Sequence, residues 1–349
     1  MGKLPVHLTI DVECAESRVR GGVACPPLGY APRVWGRFPN VEGELGVGRL
    51  AADLRARDLR ATFYVEPLGA RYFGLSGLRE VVACLLEHDQ DVQLHLHPTQ
   101  RDPEARLRGA VPPNDDVGAY ALAEQTALLR EGLDLLVDAG VPRERLIAFR
   151  AGNFGASNAT WRACVEAGLR LSSNYDPGYF DVSCAMRHEA ARADVFVPVP
   201  GLLELPISCV RTSRGKLRHL QLTAMSFLEM RGALRRMRAL GYAAATLVSH
   251  SFELYTIGDR EGLVGRPSRV NVGRWEALLD FLARERDAFP TESALDLVAR
   301  LSGGIASLGP PPEPPRTPPL LEVVRLAEQV LKRLEPYLPT PALPSPRRA

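Results

Sequence analysis

The stretch Asp91–Pro98, DVQLHLHP, decides how the rest of the chain is read. Val92, Leu94 and Leu96 alternate with Gln93, His95 and His97, the period of an extended strand, and Pro98 closes the run. Residues two apart on a strand share a face, so His95 and His97 stand side by side at a strand end. Two adjacent imidazoles there are a ready ligand pair for a borderline metal ion. The plainer alternative is a pair of hydrogen-bonded histidines beside a turn.

Working outward, short apolar, β-branched runs alternate with helix-like segments. The spacing predicts strands at His7–Val12, Ala61–Val65, Asp91–Leu96, Leu146–Phe149, Leu169–Ser173, Leu202–Ile207 and Ala243–Ser249. Helical periodicity covers 46–59, 76–88, 116–139, 157–168, 224–240 and 272–286. Strands separated by helices indicate an α/β fold, either a parallel barrel or a doubly wound sheet. Both folds gather their functional groups at the C-terminal ends of the strands. The chain's unusual polar residues fall at those ends: Asp11 and Glu13, His95 and His97, Arg150, and His250.

Each group suits a task. Asp11 and Glu13 in LTIDVE share one face and can divide the work, one carboxylate completing a metal site and the other taking a proton from water. Which does which stays open, and a solvated acidic strand end is the plain alternative. Arg150 follows an apolar strand in AFRAGNFGAS and needs a carboxylate partner at that depth, for which Asp11 is the candidate and a structural ion pair elsewhere the plain alternative. His250, in ATLVSHSFEL, can serve as general acid for a leaving amine, with a hydrogen-bonded core histidine as the plain alternative.

The successive segments TIDVE, ATFYVEP, QLHLHP, FRAGNFG, LELPIS and LVSHSF resemble, in order, the motifs of the polysaccharide deacetylases, also called NodB-homology enzymes or carbohydrate esterases. The resemblance spans about residues 6–300. It implies a distorted (β/α) barrel of seven strands that hydrolyses acetyl groups on carbohydrates with a divalent metal. It further implies metal ligation by Glu13, His95 and His97, with Asp11 as base, or as ligand in Glu13's place, oriented by Arg150, and with His250 as acid. Three positions depart from the family pattern. Val12 stands where a second aspartate is usual, Thr99 where the second histidine is usual, and Arg150 is followed by Ala-Gly-Asn-Phe. The sequence therefore reads as a divergent subgroup. Zinc is the default ion for such ligands, while nickel, cobalt, manganese or iron suit the same set.

The loop 14–45 leaves the strand bearing Asp11 and is expected to overhang the site. The loop holds Tyr30, Arg33, Trp35, Arg37 and Phe38, of which Trp35 and Arg37, with Asn153 after Arg150, are the candidate substrate contacts: aromatic rings for a pyranose, arginines for an anionic group, with a lid whose aromatics merely pack on the barrel as the plain alternative.

Bulk properties narrow the class. A formal net charge of +2 over 349 residues gives no reason to expect nucleic acid as a partner. No secretory leader and no apolar run long enough to span a bilayer is visible. Six scattered cysteines without a C-x-x-C pair suit reduced thiols. These features predict a cytoplasmic protein, and the resemblance then implies an enzyme acting on an N-acetylated sugar or a sugar-bearing small molecule. Two other readings stay open: another barrel metallohydrolase, such as an amidohydrolase or phosphoesterase, and a metal-free carbohydrate-binding relative.

The expected domain ends near residue 302. Residues 303–319 are Gly/Pro-rich and read as a linker. Beyond them Leu320, Val323, Val324, Ala327, Val330, Leu331 and Leu334 form one helical stripe. The expectation is that this stripe docks on the barrel, with a homodimer contact as the alternative.

Overall fold

The computed structural model describes residues 2–180, 182–188, 193–302 and 313–337. Its centre is one sheet built from β1 (Val6–Val12), β2 (Ala61–Val65), β3 (Asp91–Leu96), β4 (Ala148–Ala151), β5 (Leu171–Ser172), β6 (Phe196–Val199), β7 (Leu202–Glu204) and β8 (Ala245–His250). The strand order is β8-β1-β2-β3-β4-β5-β7-β6. From β8 to β7 every neighbouring pair is parallel, and β6 joins the edge antiparallel. The seven strands expected from the sequence are thus the seven parallel strands of a curled, distorted (β/α) barrel.

All seven residues of β1 and all five of β2 are buried, as expected for parallel strands covered on both faces. The cover comes from α1 (Val47–Arg55), α2 (Leu75–Glu87), α3 (Leu122–Asp138), α4 (Asn158–Glu166), α5 (Phe227–Ala239), α6 (Arg269–Arg284) and α7 (Ala294–Leu301). Trp275 of α6 and Leu50 and Leu54 of α1 lie in the main core with Ile10 and Phe63 of the sheet.

Two features differ from the sequence reading. β4 begins later than expected and extends through Arg150. The Gln93 side-chain oxygen accepts the Ile147 and Ala148 amides at 2.9 and 2.8 Å, and the ladder with β3 runs on to pair His95 with Arg150. Short antiparallel additions, Phe196–Val199 and the hairpin Cys209–Arg211 with Leu217–His219, were not legible because three or four residues carry too little period.

The tail also differs. Thr317 and Arg211 exchange backbone hydrogen bonds with each other's segments, so residues 315–317 run beside Cys209–Arg211. α8 (Pro319–Leu334) then lies against α5 and α6. It does so through its charged side, and the predicted apolar stripe, Val324 excepted, faces outward.

Candidate functional site

Register across the sheet assembles the site. Asp11 on β1 is paired with His250 on β8, and His95 on β3 with Arg150 on β4. All four lie at C-terminal strand ends.

Glu13 follows β1 and turns back over His95 and His97. Its Oε2 lies 2.7 Å from His97 Nε2 and 3.4 Å from His95 Nε2. These three residues offer donor atoms that all lie within 4.8 Å of one another. The other ring nitrogens are tied. His95 Nδ1 is 2.9 Å from the Arg150 carbonyl, and His97 Nδ1 is 2.8 Å from Asp115 Oδ2. Carbonyl and carboxylate only accept, so each Nδ1 carries a proton and directs Nε2 to the common point. Arg33 donates to Glu13 Oε1 at 3.0 Å, which leaves Oε2 as the oxygen facing both imidazoles. Two imidazole nitrogens and one carboxylate oxygen so arranged fit a divalent ion.

The electrostatics follow the packing. Burial works against a charged Glu13, but His97 beside it, hydrogen bonds from both histidines and Arg33 hold its carboxyl well below the usual range. Burial likewise opposes a charged His97, and Glu13 and Asp115 on either side raise its pKa well above the ordinary value.

Asp11 sits deeper. Arg150, fully buried, donates from Nη1 to Asp11 Oδ1 at 2.8 Å and to Thr9 Oγ1 at 2.9 Å, and from Nη2 to Ser173 Oγ at 2.9 Å. Burial alone would raise the Asp11 pKa, but Arg150, His95 and His250 together bring it below the ordinary value. Asp11 therefore keeps its charge, with Oδ2 turned to His250 Nε2 at 3.9 Å.

His250 is held from behind. Its Nδ1 lies 2.8 Å from Glu253 Oε1, so Nε2 faces the site. Glu253 in turn accepts from Ser249 Oγ at 3.0 Å and from Gln221 Nε2 at 2.6 Å. Gln221 Oε1 continues to His219 Nε2 at 2.8 Å, and His219 Nδ1 to buried Asp176 at 2.9 Å. Burial opposes the His250 cation, while the Glu253 hydrogen bond and charge, then Asp11 and Glu13, raise its pKa.

A cleft of about 480 Å³ opens above Glu13 and His97, with Asp115, Asn153, Arg33 and Phe252 among its walls. The Arg33 guanidinium stacks on Phe252, 3.1 Å from the ring centroid. Asn153, in the left-handed region at φ 51°, donates to Asp115 Oδ2 at 2.7 Å.

Of the sequence candidates, the fold brings Asp11, Glu13, His95, His97, Arg150, Asn153 and His250 together. It does not bring Trp35 or Arg37. Trp35 is buried under the barrel wall, and Arg37 lies over it and pairs with Glu44 and Glu80 at the surface. Arg33 is the loop residue that reaches the site. Sequence reasoning also missed Asp115 and Glu253. Asp115 sits in the aperiodic run PPNDD, which has no signal for a partner 18 residues away. Glu253 was visible in SHSFEL, where a turn three residues after His250 folds it back onto the ring.

The fold, a distorted (β/α) barrel, is shared with solved structures of other proteins. A chain from Mycobacterium smegmatis with a provisional polysaccharide-deacetylase assignment is similar at a TM-score of 0.54 and 16% identity, over 91% of this chain and 95% of that one. A 4-alpha-glucanotransferase from Thermococcus litoralis is similar at 0.50 and 10% identity, over 97% of this chain and 48% of that one. A family 4 carbohydrate esterase from Streptomyces lividans, in complex with acetate, matches at 0.40 and 11% identity over 82% of this chain and 91% of its own. At such identities the likeness is one of fold. No family model and no curated protein matches the sequence. Among the described residues no helix is long and apolar enough to cross a membrane.

Proposed function

We propose that the protein is a metal-dependent hydrolase that removes an N-acyl group, acetyl in the simplest case, from an amino-sugar-containing substrate. The observation that carries this is the convergence of His95 Nε2, His97 Nε2 and Glu13 Oε2 beside the Asp11–Arg150 pair and His250. The fold it shares with a chain provisionally assigned as a polysaccharide deacetylase supports the choice of substrate class. The six thiols are all free, which suits a reducing compartment and a cytoplasmic sugar substrate.

Glu13, His95 and His97 would hold the ion, zinc by ligand type. A divalent cation there supplies Lewis acidity toward the acyl oxygen and toward the attacking water. Asp11, ionised and fixed through Oδ1, takes the proton of that water on Oδ2. His250, with Nδ1 committed to Glu253, delivers a proton from Nε2 to the departing nitrogen. Burial of Asp11 and its pairing with Arg150 keep water from competing for the carboxylate.

The test is direct. Protein reconstituted with zinc is incubated with N-acetylated amino sugars, including oligomers and nucleotide-linked forms, and acetate and free amine are measured. Release by the wild type and not by Asp11→Asn is the expected result. No release from any of them, with turnover of phosphate esters instead, would assign the site to a phosphoesterase. Failure to retain any divalent metal would assign the chain to the metal-free binding relatives.

A further inference from the structure

α8 packs on the body with its charges inward. Glu328 accepts from Arg274 Nε at 2.7 Å, and Glu322 accepts from the Ser213 amide and hydroxyl at 2.6 and 3.0 Å. Beyond the helix end, Glu335 accepts from the Val270 amide at 2.7 Å, closing the first turn of α6. The opposite face is apolar and open to solvent. Leu320 is 73% exposed, Val323 60%, Val330 56% and Tyr337 85%, with Leu334, Leu326 and Leu331 also exposed.

The exposed positions Leu320, Val323, Ala327, Val330, Leu334 and Tyr337 follow one another at intervals of three and four. That alternation is the seam of two helices wound about each other. The stripe exposes on the order of 700 Å² of apolar surface, above what a monomer ordinarily leaves in one patch and close to one partner's share of a stable interface. Outward-facing charge along the stripe is confined to Arg333. A lipid surface would require a cationic polar face free for headgroups, whereas here that face is spent on Glu229, Arg274 and Ser213 of the body.

We propose that this face is covered by the same face of a second copy, so that the protein is an isologous dimer joined through α8. The pairing surface is self-complementary, as two-fold symmetry requires. Ala327, the small residue midway along the stripe, lies where the two helices approach most closely in either relative direction.

Sedimentation equilibrium of the full chain should give twice its 38.2 kDa mass at micromolar concentration. The variant V330E/L331E should be monomeric, with self-association weakened by about 100-fold or more and its circular dichroism unchanged. Because that variant could perturb the body, Ala327→Cys serves as the second arm. It should form an inter-chain disulfide under mild oxidation that the wild type, whose own cysteines are largely buried, does not form. A wild type that is monomeric up to 100-fold above that concentration, or a dimer that persists in V330E/L331E without an Ala327→Cys cross-link, overturns the proposal. A monomer that sediments with neutral or anionic vesicles overturns it in favour of a lipid surface.

Discussion

A β-carbon on Gly152 would stand 2.3 Å from Cε1 of the His97 ring. The backbone after β4 thus passes flush beneath one of the three converging donors, and only glycine leaves room for the imidazole. Gly152→Ala should displace His97 while the parallel sheet is unaffected. The expected outcome is a loss of zinc affinity of about tenfold or more by calorimetry, with a near-native circular dichroism spectrum. Unchanged affinity would mean that His97 is not a ligand.

Asp115 fixes the proton of His97 on Nδ1 and also receives Thr99 Oγ1 at 2.7 Å. Asp115→Ala frees the ring to turn and removes the negative charge that strengthens its donor nitrogen. Zinc affinity should fall about 10- to 100-fold. Since Asp115 is at the cleft wall, the melting midpoint should move little. A large loss of stability with intact affinity would make Asp115 a structural residue.

Arg150→Lys keeps a positive charge but cannot bridge Asp11, Thr9 and Ser173 at once. Buried acceptors are left unpaired, at a cost on the order of 2–4 kcal/mol. Deacetylation should drop by at least about 100-fold, and thermal melting should occur several degrees lower. Wild-type turnover would remove Arg150 from the site.

Glu253→Gln removes the charge that raises the His250 pKa. By two-dimensional NMR titration, the imidazole should then titrate at lower pH than in the wild type. A histidine whose folded pKa is raised lends stability below its unfolded value, about 6.5, and loses it as pH rises through the folded value. The stability gap between wild type and variant should therefore be widest in mild acid and close toward alkaline pH. The basic limb of the rate profile should move down in pH by the same displacement. A limb that stays in place would show that another group supplies the proton.

Deletion of 304–349 should leave a folded, zinc-binding body, because the sheet and the site lie wholly before it. It should also lower the melting midpoint. Arg274 loses Glu328, the Val270 amide loses Glu335, and the Arg211 backbone loses residues 315 and 317. Insoluble truncated protein would place the domain boundary after the helix.

The sequence by itself determined the seven parallel strands and their order of chemistry. Period two in DVQLHLHP and the buried runs around it depend only on neighbours along the chain, and strand ends in a parallel sheet must collect on one face. Asp11, Glu13, His95, His97, Arg150 and His250 were legible for that reason. Which carboxylate faces the histidines was decided only in three dimensions, because Asp11 and Glu13 share a face and differ in depth. Arg150 claims the deeper one, and Arg33 turns the shallower toward the imidazoles. Arg33 reaches the cleft and Trp35, the expected contact, enters the core because both stand on one tight helical turn, not on an extended loop. The direction of α8 was likewise undetermined by its pattern. An amphipathic stripe says that one face must be covered; the hydrogen bonds of Glu322 and the ion pairs of Arg325 and Glu328 with the body decided that the other face docks first.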